Sequence, residues 1–188
     1  AVVEDQPAID LLAAQRFGGT RIDEDLLGRE LRRVVRRSGE RDRRRDGRVG
    51  TRNELWIVAT VGCVARLAQR LAEAGRQRYA GRIDGVYALT HPFGCSQTGR
   101  DLDNTRNILA SLASHPNAGG VLVVGLGCES NQARALLAAI QHPDPSRVRM
   151  LAAQAEGDEF EQGLTRLDEL VAVAERDTRE DCGPGDLC

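Results

Sequence analysis

Four runs of apolar residues, at positions 55–61, 85–90, 120–126 and 148–152, punctuate this chain, and amphipathic stretches follow each of them. The runs have the length and branched content of buried strands. The stretches over 64–79, 101–114, 132–141 and 158–176 read as helices. In the first of these Leu67, Ala68 and Leu71 share a face, and in the last Phe160, Leu164, Leu167, Val171 and Ala174 recur at intervals of four and three. Asp101 is placed to cap the second helix, which His115-Pro116-Asn117 stops. Repeated strand–helix alternation predicts an α/β fold: a Rossmann-like, doubly wound parallel sheet in a three-layer αβα arrangement.

Ahead of this pattern, residues 1–22 are irregular. Asp23 is placed to cap a short helix running to residue 37, with Leu26, Leu27, Leu31, Val34 and Val35 on one face. Residues 38–46 read as a charged linker. The expected division is therefore an N-terminal extension over 1–45, the α/β domain over 46–180, and the start of a further segment over the turn-rich residues 181–188.

Composition narrows the function classes. No apolar run approaches the roughly 20 residues that span a bilayer, and the first ten residues lack a signal-peptide pattern. A cytoplasmic home is expected, where cysteines are reduced, metal-bound or catalytic. The sequence contains no lysine, so Schiff-base chemistry is excluded. The net charge is −2, but residues 29–48 hold ten arginines against four acids, and residues 154–188 hold eleven acids against three arginines. The basic stretch lacks the interleaved aromatics that stack on bases, so no nucleic-acid partner is expected.

The candidate chemistry lies at the strand ends. Gly62-Cys63, Gly94-Cys95 and Gly127-Cys128 each stand just past an apolar run, 32 and 33 residues apart. Parallel strands would bring all three thiols to the carboxyl edge of one sheet, where open α/β sheets bind ligands. The glycines would let the chain turn sharply there. Three thiolates can hold zinc, an iron–sulfur cluster or a soft ferrous site. His91, four residues before Cys95, is a candidate proton carrier or ligand, whereas His115 and His142 read as helix-end residues. Glu129, next to Cys128, can act as a base, and Asn131 can bind a substrate hydroxyl. The loop before the first strand, Gly47-Arg-Val-Gly-Thr-Arg-Asn53, is flexible and positive, suited to a carboxylate or phosphate through Arg48 and Arg52.

Together these segments resemble the altronate dehydratase and galactarate dehydratase family of sugar-acid hydro-lyases, most closely its altronate-type branch. The resemblance rests on Asp46-Gly-Arg-Val-Gly-Thr-Arg-Asn53, Leu89-Thr-His-Pro-Phe-Gly-Cys-Ser-Gln97, Asn104-Thr-Arg-Asn-Ile-Leu109 and His115-Pro-Asn-Ala-Gly-Gly-Val-Leu-Val-Val-Gly-Leu-Gly-Cys-Glu129. It implies removal of water from a hexonate or hexarate, giving a 2-keto-3-deoxy acid, with dependence on Fe2+ or a similar divalent metal such as Mn2+. An iron–sulfur cluster fits it less well. On this reading Cys63, Cys95 and Cys128 hold the metal, and His91 and Glu129 are catalytic. Arg48, Arg52, Asn53, Gln97 and Asn131 bind a small sugar-acid substrate. Family members are longer, so the chain is expected to be inactive alone, completed by a carboxyl-terminal half or by self-association. The competing expectation is a non-catalytic Rossmann-like module that binds an anion or a partner. A thiol redox protein is disfavoured, because no CxxC supplies a resolving cysteine.

Overall fold

Four parallel strands form the centre of the fold in the computed structural model, which describes residues 40–44, 47–141, 144–155 and 157–182. The helix expected over 23–37, His142 and the turn-rich residues after Cys182 lie outside the described residues. The central alternation runs β3 (Glu54–Ala59), α1 (Ala65–Arg78), β4 (Gly85–Leu89), α2 (Gly99–Ala113), β5 (Ala118–Gly125), α3 (Ala133–Ala139), β6 (Val148–Ala152) and α4 (Glu159–Ala174). The chain begins a strand pair earlier, with β1 (Glu40–Arg43) and β2 (Val49–Gly50), and ends on β7 (Arg179–Asp181).

The parallel sheet has the order β4-β3-β5-β6. All eight residues of β5 are buried, as a strand covered on both faces requires. Alternation decides which side chain meets which layer. Leu55, Ile57 and Ala59 of β3 pack with Leu71 of α1 and Leu164, Leu167 and Leu170 of α4. Val58 points the other way, with Leu109 and Ala113 of α2 and Leu136 of α3. Leu71, Leu122, Leu136, Leu167 and Leu170 are fully buried, each contributing about 1.5–3 kcal/mol relative to exposure. Asp158 caps α4, its Oδ1 accepting from the amides of Phe160 at 3.1 Å and Glu161 at 3.2 Å. Among the described residues no helix is long and apolar enough to cross a membrane.

Two helix-end expectations are corrected. Asp101 is not the cap of α2, which begins at Gly99 after Thr98. His115 does not face the last carbonyls of α2; its Nδ1 accepts from the Asn117 amide at 3.1 Å, and its ring lies 5.2 Å from that of Trp56.

The charged stretch over 38–46 is also more than a linker. Its β1 is the centre of a small antiparallel sheet, β2-β1-β7, in which Glu40 lies opposite Asp181 and Asp42 opposite Arg179. Nothing apolar in Glu-Arg-Asp-Arg announces a strand, and ion pairs do the fastening. Arg43 pairs with Glu180, and Arg179 pairs with Asp84. Just behind β1, the buried Arg44 donates to Asp177 Oδ2 at 2.6 Å, to Asn53 Oδ1 at 3.1 Å and to the carbonyls of Pro116 at 2.8 Å and Arg52 at 3.0 Å. Arg147 donates to the same Asp177 Oδ2 at 2.8 Å and to the Gly119 carbonyl at 2.7 Å. One carboxylate thus joins the antiparallel strap to the parallel sheet. Removing one partner from a buried ion cluster leaves the others uncompensated. Asp177→Ala is therefore expected to lower the unfolding free energy by about 3–5 kcal/mol in urea titrations, and a loss below about 1 kcal/mol would show that the arginines hold without it.

Candidate functional site

Parallel strands β3 and β5 are hydrogen-bonded neighbours, yet their crossovers leave in opposite directions. After β3 the chain passes through α1 to β4 at one edge; after β5 it passes through α3 to β6 at the other. Such a switch opens a crevice outside the carboxyl ends of the two strands, the usual ligand position in this class of sheet. Thr60 and Gly62-Cys63 stand at one lip, Gly127-Cys128 and Glu129 at the other. The turn after β4, residues 90–98, lies alongside.

Backbone bonds join these three turns. The Gly62 amide donates to the Phe93 carbonyl at 2.7 Å, and the Ser130 amide donates to the Cys95 carbonyl at 2.8 Å. Two of the three Gly-Cys glycines are explained by this. A Cβ on Gly62 would lie 3.1 Å from the carbonyl oxygens of His91 and Phe93, and Gly127 has φ +119, which favours glycine. Gly94 meets neither constraint.

Glu129 is 2 % exposed. Its Oε1 accepts from Thr60 Oγ1 at 2.5 Å and the Leu126 amide at 3.1 Å, and its Oε2 accepts from the Gly127 amide at 2.6 Å. Burial pushes its pKa up, but the bonds from Thr60 and the turn amides outweigh this and hold it below the usual value. The geometry makes Glu129 an ionised anchor for the turn. Asn131, also buried, donates from Nδ2 to the Thr60 carbonyl at 3.3 Å, while its Oδ1 meets no partner. Thr60 links Glu129 to Asn131, and the sequence analysis missed it. Its signal was only a hydroxyl residue following a strand.

His91 Nδ1 accepts from the Phe93 amide at 3.3 Å, which leaves the proton of the neutral ring on Nε2. Nε2 is buried without a hydrogen-bond partner. Burial holds the ring below its usual pKa, against the opposing pull of the Ala59 and Thr60 backbone. Gln97 turns inward, its Nε2 donating to Thr105 Oγ1 at 3.1 Å.

Cys63, Cys95 and Cys128 are free and exposed at this edge. Thiolates suit a soft ferrous or iron–sulfur site chemically, but the arrangement does not fit one. Among the described residues, no three histidine, cysteine, aspartate or glutamate side chains gather closely enough to hold a metal ion.

The expected substrate-binding loop lies elsewhere. Arg48, Arg52 and Asn53 precede β3 and so stand at the amino edge of the sheet, one strand length from the thiols. Asn53 is buried and ties Arg44 Nη1 to the Ala174 carbonyl, to which its Nδ2 donates at 2.8 Å. Arg48 donates to the Ser114 carbonyl. Arg52 is largely exposed, 3.4 Å from Glu54 Oε1. The fold therefore brings together Cys63, His91, Cys95, Gln97, Cys128, Glu129 and Asn131, and sets Arg48, Arg52 and Asn53 apart from them.

The histidines set a pH dependence. His91 and His115 are both held below their usual 6.5, chiefly by burial. As pH falls through that value the unfolded chain binds protons that the folded chain refuses, so stability present above it is lost below. The depressed Glu129 adds a separate loss as pH falls below 4.5. Melting followed by circular dichroism should show Tm falling from pH 7 toward pH 5, and a His91→Gln, His115→Gln double variant should flatten that fall. An unchanged slope would exclude these rings as its source.

Known proteins match this region. A family model described as "D-galactarate dehydratase/Altronate hydrolase, second domain" covers residues 43–175. The chain is 45% identical to the altronate dehydratase of Escherichia coli (strain K12) over 147 residues, which is 77% of this chain and 29% of that protein. It is 46% identical to the altronate dehydratase of Bacillus subtilis (strain 168) over 142 residues, 74% of this chain and 28% of that protein. A (2R)-sulfolactate sulfo-lyase subunit beta from Chromohalobacter salexigens is 33% identical over 84 residues, 45% of this chain and 20% of that protein. The chain thus spans under a third of the length of these relatives. The match extends from the strap through α4 and includes all three Gly-Cys turns, and on it the chain belongs to the galactarate dehydratase and altronate hydrolase family, as that family's second domain.

Proposed function

We propose that this chain supplies one wall of the active site of a hydro-lyase that removes water from a hexonate such as altronate. In that elimination a proton leaves the carbon beside the carboxylate and a hydroxyl leaves the next carbon. The enol so formed takes up a proton at that next carbon to give the 2-keto-3-deoxy acid, with one water released. The observation that carries the reading is the β3–β5 switch point, whose three joined turns lie inside the matched family segment.

The residues of this chain take distinct parts in it. Thr60, Glu129 and Asn131 fix the turns, so the wall needs no reorganisation when substrate arrives. His91, neutral at pH 7, offers its Nε2 proton beside Thr60, and Asn131 offers an unpaired Oδ1 beside the same residue. Cys63, Cys95 and Cys128 line the rim. Glu129 is a poor base, since its proton affinity is already depressed. A full set of Fe2+ or Mn2+ ligands needs residues beyond those described, since no three candidates gather among them. The isolated chain is accordingly expected to show no turnover.

The test is a chimera in which residues 43–175 replace the matched segment of the Escherichia coli altronate dehydratase. It should convert altronate to a 2-keto-3-deoxy acid, and Asn131→Ala or His91→Gln within it should lower kcat by about tenfold or more. A folded chimera without turnover would overturn the reading and favour a non-catalytic binding module.

A further inference from the structure

Strand β4 is covered on one face only. It lies at an edge of the parallel sheet, where Val86 and Ala88 turn toward the layer of α1 and α4. Tyr87 and Leu89 turn the other way. They stand opposite Trp56 and Val58 of β3 and so share the face of α2 and α3. Helix α2 packs against α3 and β3, which leaves the outer strand beyond its cover. Tyr87 is 41 % exposed, although it faces the same side as the buried Val58. Its ring folds back along its own strand over Gly85, where a Cβ would come within 2.7 Å of it.

The flank of α2 beside this strand is apolar as well. Thr105, Ile108 and Leu112 recur at intervals of three and four and share one side of the helix. Thr105 accepts from Gln97, in the turn that follows β4, and Leu112 packs in the cluster of Trp56. Ile108, between them, therefore borders β4, and it is 62 % exposed. Trp56, Tyr87 and Leu89 are the floor of an apolar step, and Ile108 and Leu112 are its wall.

We propose that this step seats an amphipathic helix from another domain of the same polypeptide. Parallel strands are covered on both faces, and helices cover them; β4 lacks that layer on one side. The chain matches 29% and 28% of its two altronate dehydratase relatives, as a second domain, so more than two-thirds of such a polypeptide lies outside it. A second copy is the poorer occupant. A free dimer buries about 800 Å² on each partner, and the exposed large apolar side chains of the step are only Tyr87 and Ile108. A tethered domain docks on less, at an effective concentration on the order of millimolar. The assignment rests on family membership and does not depend on the elimination reading.

The test sets the full chain beside the chimera that carries residues 43–175 within the Escherichia coli altronate dehydratase. Hydroxyl-radical labelling read by mass spectrometry should oxidise Tyr87 and Ile108 about fivefold or more slowly in the chimera, where the docked helix excludes water. A Tyr87→Asp, Ile108→Asp double variant should leave Tm of the isolated chain within about 2 °C, since both positions are exposed there. In the chimera it should lower Tm by about 5 °C or more, because two charges then enter an apolar contact. Equal labelling in the two proteins, or a chimera that tolerates both aspartates, overturns the proposal. So does a dimer of the isolated chain, measured by light scattering, that the double variant dissolves, since the step would then belong to a second copy. If the chimera does not fold, hydrogen exchange in the natural Escherichia coli enzyme decides. Its stretches matching β4 and α2 should exchange about tenfold or more slowly than those of the isolated chain, and equal rates overturn the proposal.

Discussion

The carboxylate of Asp177 holds two sheets together. It follows α4, at the end of the doubly wound unit, and it receives Arg44 from the antiparallel strap and Arg147 from the start of β6. All three side chains are nearly excluded from solvent, so their attraction is little screened by salt. Arg44 spends its remaining donors on Asn53 and on the carbonyls of Arg52 and Pro116. Those bonds set the entry of the chain into β3, and through β3 they set the position of everything at its far end.

At that far end a different economy of polar groups prevails. Thr60 and Glu129 cross-link two turns that belong to adjacent strands, and Asn131 closes the same knot from below through the Thr60 carbonyl. Two buried polar atoms there lack a hydrogen-bond partner, the acceptor Oδ1 of Asn131 and Nε2 of His91. Buried polar groups without partners are uncommon in folded proteins and concentrate where ligands bind. These two lie at the switch point of the sheet, where open α/β sheets bind ligands.

Much of this was legible in the order of residues, and the reasons differ by element. The strands and helices of the central unit are announced by burial, because a sheet covered on two faces needs continuous apolar runs such as Val121–Val124. The Gly-Cys turns were legible because their spacing equals a strand–helix repeat. The strap was not, since Glu40–Arg43 has no apolar position and its pairing is fixed by partners more than a hundred residues away. The opposite charges of residues 29–48 and 154–188 carried that information only as an imbalance; in the fold Arg43 meets Glu180 and Arg44 meets Asp177. Arg48 and Asn53 stand apart from the thiol edge for a simpler reason. A loop that precedes a strand lies at its amino end, and a sequence motif shared with a family does not say which end of the sheet it serves. The joint metal site of the three thiols was likewise inferred from one shared edge, and a shared edge is a weaker condition than convergence.

The pairing of Glu40 with Asp181 has a mechanical consequence. Chain enters and leaves this unit at adjacent residues, so tension applied through the two flanks peels β1 from β7 one pair at a time and does not shear them together. The load reaches the parallel sheet only after those pairs have opened and the Arg44–Asp177 contact behind them bears the pull. The strap is thus a sacrificial fastening, and the crevice at the opposite edge is insulated from forces that arrive along the polypeptide.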